Sequence, residues 1–221
     1  MEEPAPLHPE TAIALGYVPA IVRPALATLF ALDERLGGFV NRASEPVIGL
    51  MRLAWWRDAL AALDQGPPPA EPLLETLAEI CGNYAISGQE LARLAEGWEG
   101  MLDEEPDWIE RHARDRGARL FALAARLLGG ADERIEPAGR GWALVDAARR
   151  SGDFARARAA LAAAREPLER AVAQRWPRRL RPLGMLAALA REDARGSVET
   201  LSPPGSRRRL LRIMRHQLTG H

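Results

Sequence analysis

Apolar residues recur at helical spacing along almost the whole chain. Between residues 21 and 39, positions three or four apart form one continuous stripe, which predicts an amphipathic helix. The stripe consists of Ile21, Ala25, Leu29, Leu32, Leu36 and Phe39. No alternation of apolar and polar positions long enough to predict a half-buried strand is found. The chain is therefore predicted to be all-α, with about eight or nine helices in a single domain over residues 1–221.

Segments rich in proline and glycine mark the predicted helix ends. The segment GPPPAEP at residues 66–72 ends one strong helix, which is predicted to start with Ser44 as its cap and Pro46 in its first turn. An Ala/Arg-rich run near residues 154–165 is low in complexity but keeps helical spacing. Residues 1–9 form a polar tail ahead of the first predicted helix.

Composition agrees with a helical, soluble domain. Apolar residues make up 47% of the 221 residues, and only four Phe and two Tyr are present among many Ala and Leu, a choice that favours helix over strand. No run reaches the roughly 18 apolar residues of a membrane span. Cys81 is the single cysteine, so an intrachain disulfide and a thiolate metal site are excluded. The acidic start is unlike a secretory signal, and we expect a cytoplasmic protein.

The zero net charge hides a division along the chain. Residues 1–110 hold 6 Arg against 19 Asp and Glu, whereas residues 111–221 hold 24 Arg against 11, and Lys does not occur. One hypothesis is that the Arg-rich half meets an anionic partner. The interpretation we favour is that acidic early helices pack beside basic late ones.

Three stretches carry a family resemblance. Residues 22–60 contain Arg52-Leu-Ala-Trp-Trp-Arg57, residues 139–153 read GRGWALVDAARRSGD, and residues 178–196 give a weaker match. They resemble the squalene/phytoene synthase family, which implies an isoprenoid-synthase-like helical bundle. In those synthases, two Asp-rich motifs face each other across a cavity and hold the Mg²⁺ ions that bind a prenyl diphosphate.

The resemblance also shows where this chain departs from the family. The acidic positions of the first motif fall on Gly37, Gly38 and Asn41, and the metal ligand of the second falls on Arg150, a permanent cation. Asp153 lies near the next acidic position, about one residue out of helical register. We therefore predict neither catalytic nor metal-binding residues, and no cofactor.

A cavity lined by Trp and Arg can persist without the metals. The candidates for ligand binding, as residues that line this cavity, are Arg52, Trp56, Asp146, Arg149 and Asp153. The alternatives are structural. One of the adjacent residues Trp55 and Trp56 lies in the core and the other at a helix–helix seam. Asp146 and Arg149 form only an i, i+3 ion pair.

The C-terminal segment is the best candidate for an interaction element. Residues 205–218 are predicted to form a basic amphipathic helix that lies on an anionic membrane or on a partner, or else packs on the body with a solvated Arg face. Its apolar stripe is Leu210, Leu211, Met214 and Leu218, opposed by Arg207, Arg208, Arg209, Arg212 and Arg215.

The leading functional hypothesis is a pseudoenzyme. Residues 44–52 are similar to a degenerate branch of the family that includes the mitochondrial assembly factor for respiratory complex I. This resemblance implies a scaffold or assembly role near a membrane complex, with a location peripheral to the inner membrane. The second hypothesis is a prenyl-diphosphate transferase with unusual Mg²⁺ ligands, and the third is a metal-free binder of an isoprenoid or lipid. Nucleic-acid binding is not supported, because the basic residues lack interleaved aromatic residues.

Overall fold

The chain folds into a bundle of helices, and no strand occurs in the part that is described. The computed structural model describes residues 7–42, 45–102 and 107–221, with the backbone but not the side chains of residues 41 and 42. The α-helices are α1 (Pro9–Gly16), α2 (Arg23–Arg42), α3 (Pro46–Ala62), α4 (Pro72–Tyr84), α5 (Gly88–Glu99), α6 (Trp108–Arg111), α7 (Arg119–Leu127), α8 (Ile135–Arg150), α9 (Phe154–Val172), α10 (Arg181–Arg195) and α11 (Arg207–Thr219). A π-helical segment, His112–Ala118, joins α6 to α7, and short 3-10 turns lie at Arg178–Leu180 and Val198–Thr200. The prediction of an all-α fold is confirmed.

The helix starts follow the local sequence signals. Pro72 opens α4, and the side chain of Glu71 accepts a hydrogen bond from the backbone N–H of Leu74. A capping box between Ser87 and Glu90 starts α5. At α3, Pro46 is in the first turn as predicted, but the predicted cap Ser44 lies outside the described residues.

The apolar stripe of the second helix forms part of the core. Ala25, Leu29, Leu32 and Leu36 are all buried along one face of α2. Ile21 precedes the helix and is exposed, so the predicted stripe extended one turn too far. At the start of the chain, α1 begins at Pro9, and residues 1–6 of the predicted tail lie outside the described part.

The π-helical segment crosses α8 at backbone contact. A Cβ atom on Gly117 would lie 2.3 Å from the carbonyl oxygen of Gly139, and one on Gly139 would lie 2.2 Å from that of Gly117. Only glycine permits this approach. The crossing brings the side chain of Arg116, next to Gly117, into the middle of the bundle, where it is 0% exposed.

The late helices close the bundle in an unexpected orientation. The helix α11 packs on α10, but its buried residues are Arg209, Ile213 and His216. The alternative of a helix packed on the body with a solvated arginine face fits Arg207, Arg208 and Arg215, which are exposed. It does not fit Arg209, which binds Glu10 of α1 in the interior. Pairs of this kind join early acidic helices to late basic ones, which is the interpretation of the charge division that we favoured. None of the described helices is long and apolar enough to span a membrane.

Candidate functional site

A buried arginine ties four elements of the bundle together. The guanidinium of Arg116 binds Asp33 of α2 through two parallel hydrogen bonds, from Nε to Oδ1 at 2.9 Å and from Nη2 to Oδ2 at 2.8 Å. The same Nη2 lies 2.7 Å from Oδ2 of Asp146 on α8. On α5, the indole N–H of Trp98 donates to Asp33 at 2.9 Å. Asp33 and Asp146 thus share one cation, which bridges the two helices.

The donors of Arg116 are fully engaged. Nη1 points to Nε2 of His112 at 3.0 Å and to the carbonyl oxygen of Ala143 at 3.5 Å, so each of the five N–H groups has an acceptor. The guanidinium also lies over two indole rings, 3.9 Å from the ring centre of Trp98 and 4.8 Å from that of Trp142. Burial opposes its charge, but Asp33 and Asp146 outweigh burial and raise the pKa of Arg116.

His112 completes this cluster as a neutral ring. Since Arg116 only donates, Nε2 of His112 accepts and Nδ1 carries the proton, which it donates to the carbonyl oxygen of Gly97 at 2.8 Å. Burial and the neighbouring Arg116 charge lower the pKa of His112 to about 3. The ring is therefore uncharged at neutral pH.

A second arginine, Arg150, also binds Asp146 of α8 and joins it to Glu34 of α2. Arg150 Nε lies 2.8 Å from Oδ2 of Asp146, and its Nη2 lies 3.0 and 3.1 Å from the two oxygens of Glu34. Burial disfavours ionisation of Asp146, but the charges of Arg116 and Arg150 outweigh it and hold the pKa of Asp146 well below its usual range. Burial raises the pKa of Glu34, against the opposing effect of Arg150.

Gly37, one of the positions that the family resemblance assigns to an acidic residue, faces the indole of Trp98. A Cβ atom on Gly37 would lie 2.7 Å from Cη2 of Trp98 and 3.4 Å from Nη1 of Arg150. Gly38 has no atom within 4 Å of a built Cβ, and the side chain of Asn41 lies outside the described part. The indole and the arginine thus take up the space next to α2 that a longer side chain would need.

This arrangement does not fit Mg²⁺. Among the described residues, no three His, Cys, Asp or Glu side chains are grouped so that they could hold a metal ion. The carboxylates Asp33, Glu34 and Asp146 lie near one another, but each is bound by a guanidinium, which a divalent cation would have to displace. The crevice beside Glu34 and Asp146 has a volume of about 40 Å³. Sites for small-molecule ligands typically have about 300–1,000 Å³.

Arg149 belongs to a different ion network from Asp146. Its guanidinium lies 2.8 Å from Oδ2 of Asp193, and Asp193 also binds Arg209, which in turn binds both oxygens of Glu10. The alternative of an i, i+3 ion pair between Asp146 and Arg149 is thus wrong. Arg149 pairs with Asp193, whereas Asp146 pairs with Arg150 at i, i+4.

The other candidate residues lie apart from the buried cluster. Trp56 is buried, Trp55 is half-exposed, and Arg52 is exposed over the ring of Phe39. They line a recess of about 450 Å³ at the outside of α2 and α3. Asp153 is exposed and accepts hydrogen bonds from the first N–H groups of α9, so it acts as a helix cap.

The residues at the centre of the cluster, Trp98, His112 and Arg116, were not predicted from the sequence. Asp33 has no second carboxylate one turn later in the sequence, because Leu36 and Gly37 stand there. The closest sequence signal is the i, i+4 pair His112 and Arg116, placed between Gly97 and Gly117. No sequence pattern linked Asp33 to a residue 83 positions later.

Comparisons with known proteins agree with the predicted resemblance. Over 115 residues the chain is 26% identical to a protein of Rattus norvegicus named NADH dehydrogenase (ubiquinone) complex I, assembly factor 6. The match covers 50% of this chain and 34% of the rat protein, so it spans about a third of the length of that relative. No solved structure matches the chain.

The match to a family is more extensive. The sequence model of the squalene/phytoene synthase family, which has an isoprenoid-synthase-like helical fold, matches residues 8–154. The matched region contains every element of the buried cluster, from α2 to α8. Since more than half of the chain is matched, the protein belongs to the squalene/phytoene synthase family.

Proposed function

We propose that this chain is a non-catalytic member of its family and acts as a scaffold or assembly protein. The observation that carries the proposal is the pair of arginines, Arg116 and Arg150, bound to the carboxylates of α2 and α8. A transferase of this family needs free carboxylates to hold Mg²⁺, whereas here the counter-cations are part of the chain.

In the part of the chain that the structure describes, little space is left for a substrate between α2 and α8. A prenyl diphosphate needs a cavity between the two helices that bear the acidic motifs. Trp98 and the guanidinium groups fill the space next to Gly37, and the crevice beside Glu34 measures about 40 Å³. Clearing this space would require Arg116 and Arg150 to leave their carboxylates, and a buried charge that loses its partner costs about 3–5 kcal/mol.

An assembly role is supported by the rat relative, whose name makes it an assembly factor of complex I. The match to this relative covers half of the chain. A helical body whose central carboxylates are bound by arginines is suited to presenting surfaces to other proteins. The predicted location, cytoplasmic and peripheral on the inner membrane, remains a prediction.

The transferase alternative is tested by thermal unfolding with Mg²⁺ and farnesyl diphosphate, alone and together, alongside an active synthase of the family. A ligand at 100 times its Kd stabilises a protein by about 2.7 kcal/mol, which raises Tm by about 5–10 °C at this chain length. We expect no such rise that requires both additives, and no released diphosphate. A rise in Tm that requires both additives, or the release of diphosphate, would contradict the proposal.

The assembly role is tested in the source cell. Deletion of the gene should lower the amount of assembled NADH dehydrogenase complex on native gels. A Glu34→Gln chain should restore it as well as the wild type does, because Glu34 would matter to a metal but not to a contact surface. Unchanged assembly after deletion would contradict the scaffold role.

A second candidate is a metal-free binder of an isoprenoid or lipid, and the recess on α2 and α3 favours it. Its wall combines Trp55, Trp56 and Phe39 with Arg35 and Arg52, which is a lining for an apolar chain with an anionic head. Titration with farnesyl monophosphate should quench Trp fluorescence, and Arg52→Gln should weaken binding by about tenfold, the loss of one charge-assisted hydrogen bond. Absence of quenching in the wild type removes this candidate.

A further inference from the structure

The outward face of α11 is apolar. Leu211, Met214 and Leu218 are 66%, 53% and 76% exposed, and their spacing places them along one stripe of the helix. The opposite face is held on the body by Arg209, which binds Glu10, and by the buried Ile213. The helix therefore docks inwards through an ion pair and one isoleucine, and leaves three large apolar side chains in water.

Arginines border this stripe and a groove beside it. The groove has a volume of about 570 Å³, and its lining is Val172, Ala188, Arg191, Arg208, Leu211, Arg212, Arg215 and His221. Glu192 pairs with Arg208 and Arg212, and Glu169 pairs with Arg191 and Arg195. With the exposed Arg207 included, the arginines of this face outnumber the glutamates that pair with them, so its charge is positive.

We propose that this face of α11 docks on the surface of a bilayer that contains anionic phospholipids. Leu211, Met214 and Leu218 would enter the boundary between headgroups and acyl chains, and the flanking guanidinium groups would bind lipid phosphates. The arrangement suits an anionic bilayer, because arginines border the apolar stripe directly and make the face positive.

This inference goes beyond the proposed function and does not depend on it. The residues of α11 lie after the region matched by the family, which ends at residue 154. The docking also requires no membrane-spanning helix. Failure of vesicle binding would leave the tests with Mg²⁺ and farnesyl diphosphate unaffected, so the two proposals can fail separately.

The test is co-sedimentation of the full chain with phosphatidylcholine vesicles, with and without phosphatidylglycerol. We expect binding only to the anionic vesicles. The double variant Leu211→Ser and Met214→Ser should lower the partition coefficient by about tenfold or more, because both apolar side chains lose their insertion. The matched control, Val47→Ser with Met51→Ser, removes two side chains of α3 that are 62% and 68% exposed, and should bind as the wild type does.

The charge of the face is tested separately. A variant with Arg207→Gln and Arg215→Gln should lose about fivefold in partition coefficient for each arginine removed, and raised salt should weaken wild-type binding in the same direction. All these side chains are exposed, so we expect unfolding midpoints equal to that of the wild type. Equal binding to neutral vesicles, no binding at all, or loss in the α3 control but not in the α11 variant would each overturn the proposal.

Discussion

Replacement of Arg116 by methionine removes the cation on which the interior of the bundle depends. Arg116 is 0% exposed, and the side chains of its partners Asp33 and Asp146 are 1% and 14% exposed. Methionine fills much of the volume of the arginine stem, but the two carboxylates keep their burial and lose a shared counter-charge. Breaking a buried pair in this way costs about 3–5 kcal/mol. Loss of the cation–π contacts with Trp98 and Trp142 brings the expected total to about 5 kcal/mol.

The measurement is urea unfolding at pH 7, followed by far-UV circular dichroism. Since domains unfold with free energies of about 5–15 kcal/mol, Arg116→Met should remove a third or more of the total. The triple variant that adds Asp33→Asn and Asp146→Asn should recover at least half of the loss, because it no longer leaves buried charges unpaired. If Arg116→Met does not fold, Arg116→Lys keeps the charge and should lie between it and the wild type.

Two results of these unfolding measurements would refute the role of Arg116 as a shared cation. If Arg116→Met lowers the free energy of unfolding by less than about 1 kcal/mol, the change is no larger than that for an exposed ion pair. Such a result would show that water reaches these groups in the interior. A triple variant less stable than Arg116→Met would show that hydrogen bonds of Asp33 and Asp146 to other partners, and not the shared cation, dominate the cluster.

Three further predictions test other parts of the structure. Gly37→Ala should destabilise the protein by about 1–3 kcal/mol, because its Cβ would lie 2.7 Å from Trp98. Gly38→Ala should stabilise it by up to about 1 kcal/mol, because its Cβ would meet no atom and alanine favours a helix. Equal effects of the two substitutions in urea unfolding would contradict the tight contact at Gly37. Burial and the charge of a nearby arginine lower the pKa of His216 to about 4, so its stabilising effect is complete above about pH 6.5 and is lost as the pH falls towards 4. His216→Leu should reduce the slope of unfolding free energy between pH 6.5 and 4 by about 1.4 kcal/mol per unit, and an unchanged slope would contradict a neutral buried ring. Arg209→Met should cost about 3–5 kcal/mol, and normal stability would mean that α11 does not depend on its ion pairs.

The helices could be predicted from the sequence because their signals are local. The apolar stripe of α2 contains Leu29, Leu32 and Leu36, which lie within two turns of one another, and the proline that opens α4 acts on its own turn. Spacing of this kind depends only on the 3.6-residue period and needs no knowledge of the partner.

The buried ion pairs could not be predicted in the same way. Arg209 pairs with Glu10 across 199 positions of sequence, so α11 turned its arginine inwards although the helix pattern placed Arg209 on the polar face. The same holds for Arg116 and Asp33. A charged residue is counted as exposed by any periodicity argument, and only the tertiary fold reveals the partner that permits its burial.

The loss of the acidic motifs and the gain of the buried arginines have one physical explanation. Asp33, Glu34 and Asp146 lie close together between α2 and α8, and such a group requires cations nearby. In the synthases that this family contains, the cation is a metal ion that arrives with the diphosphate. Here Arg116 and Arg150 supply the positive charge within the folded chain. A metal ion would have to displace these guanidinium groups, because they bind the carboxylates that it would need as ligands.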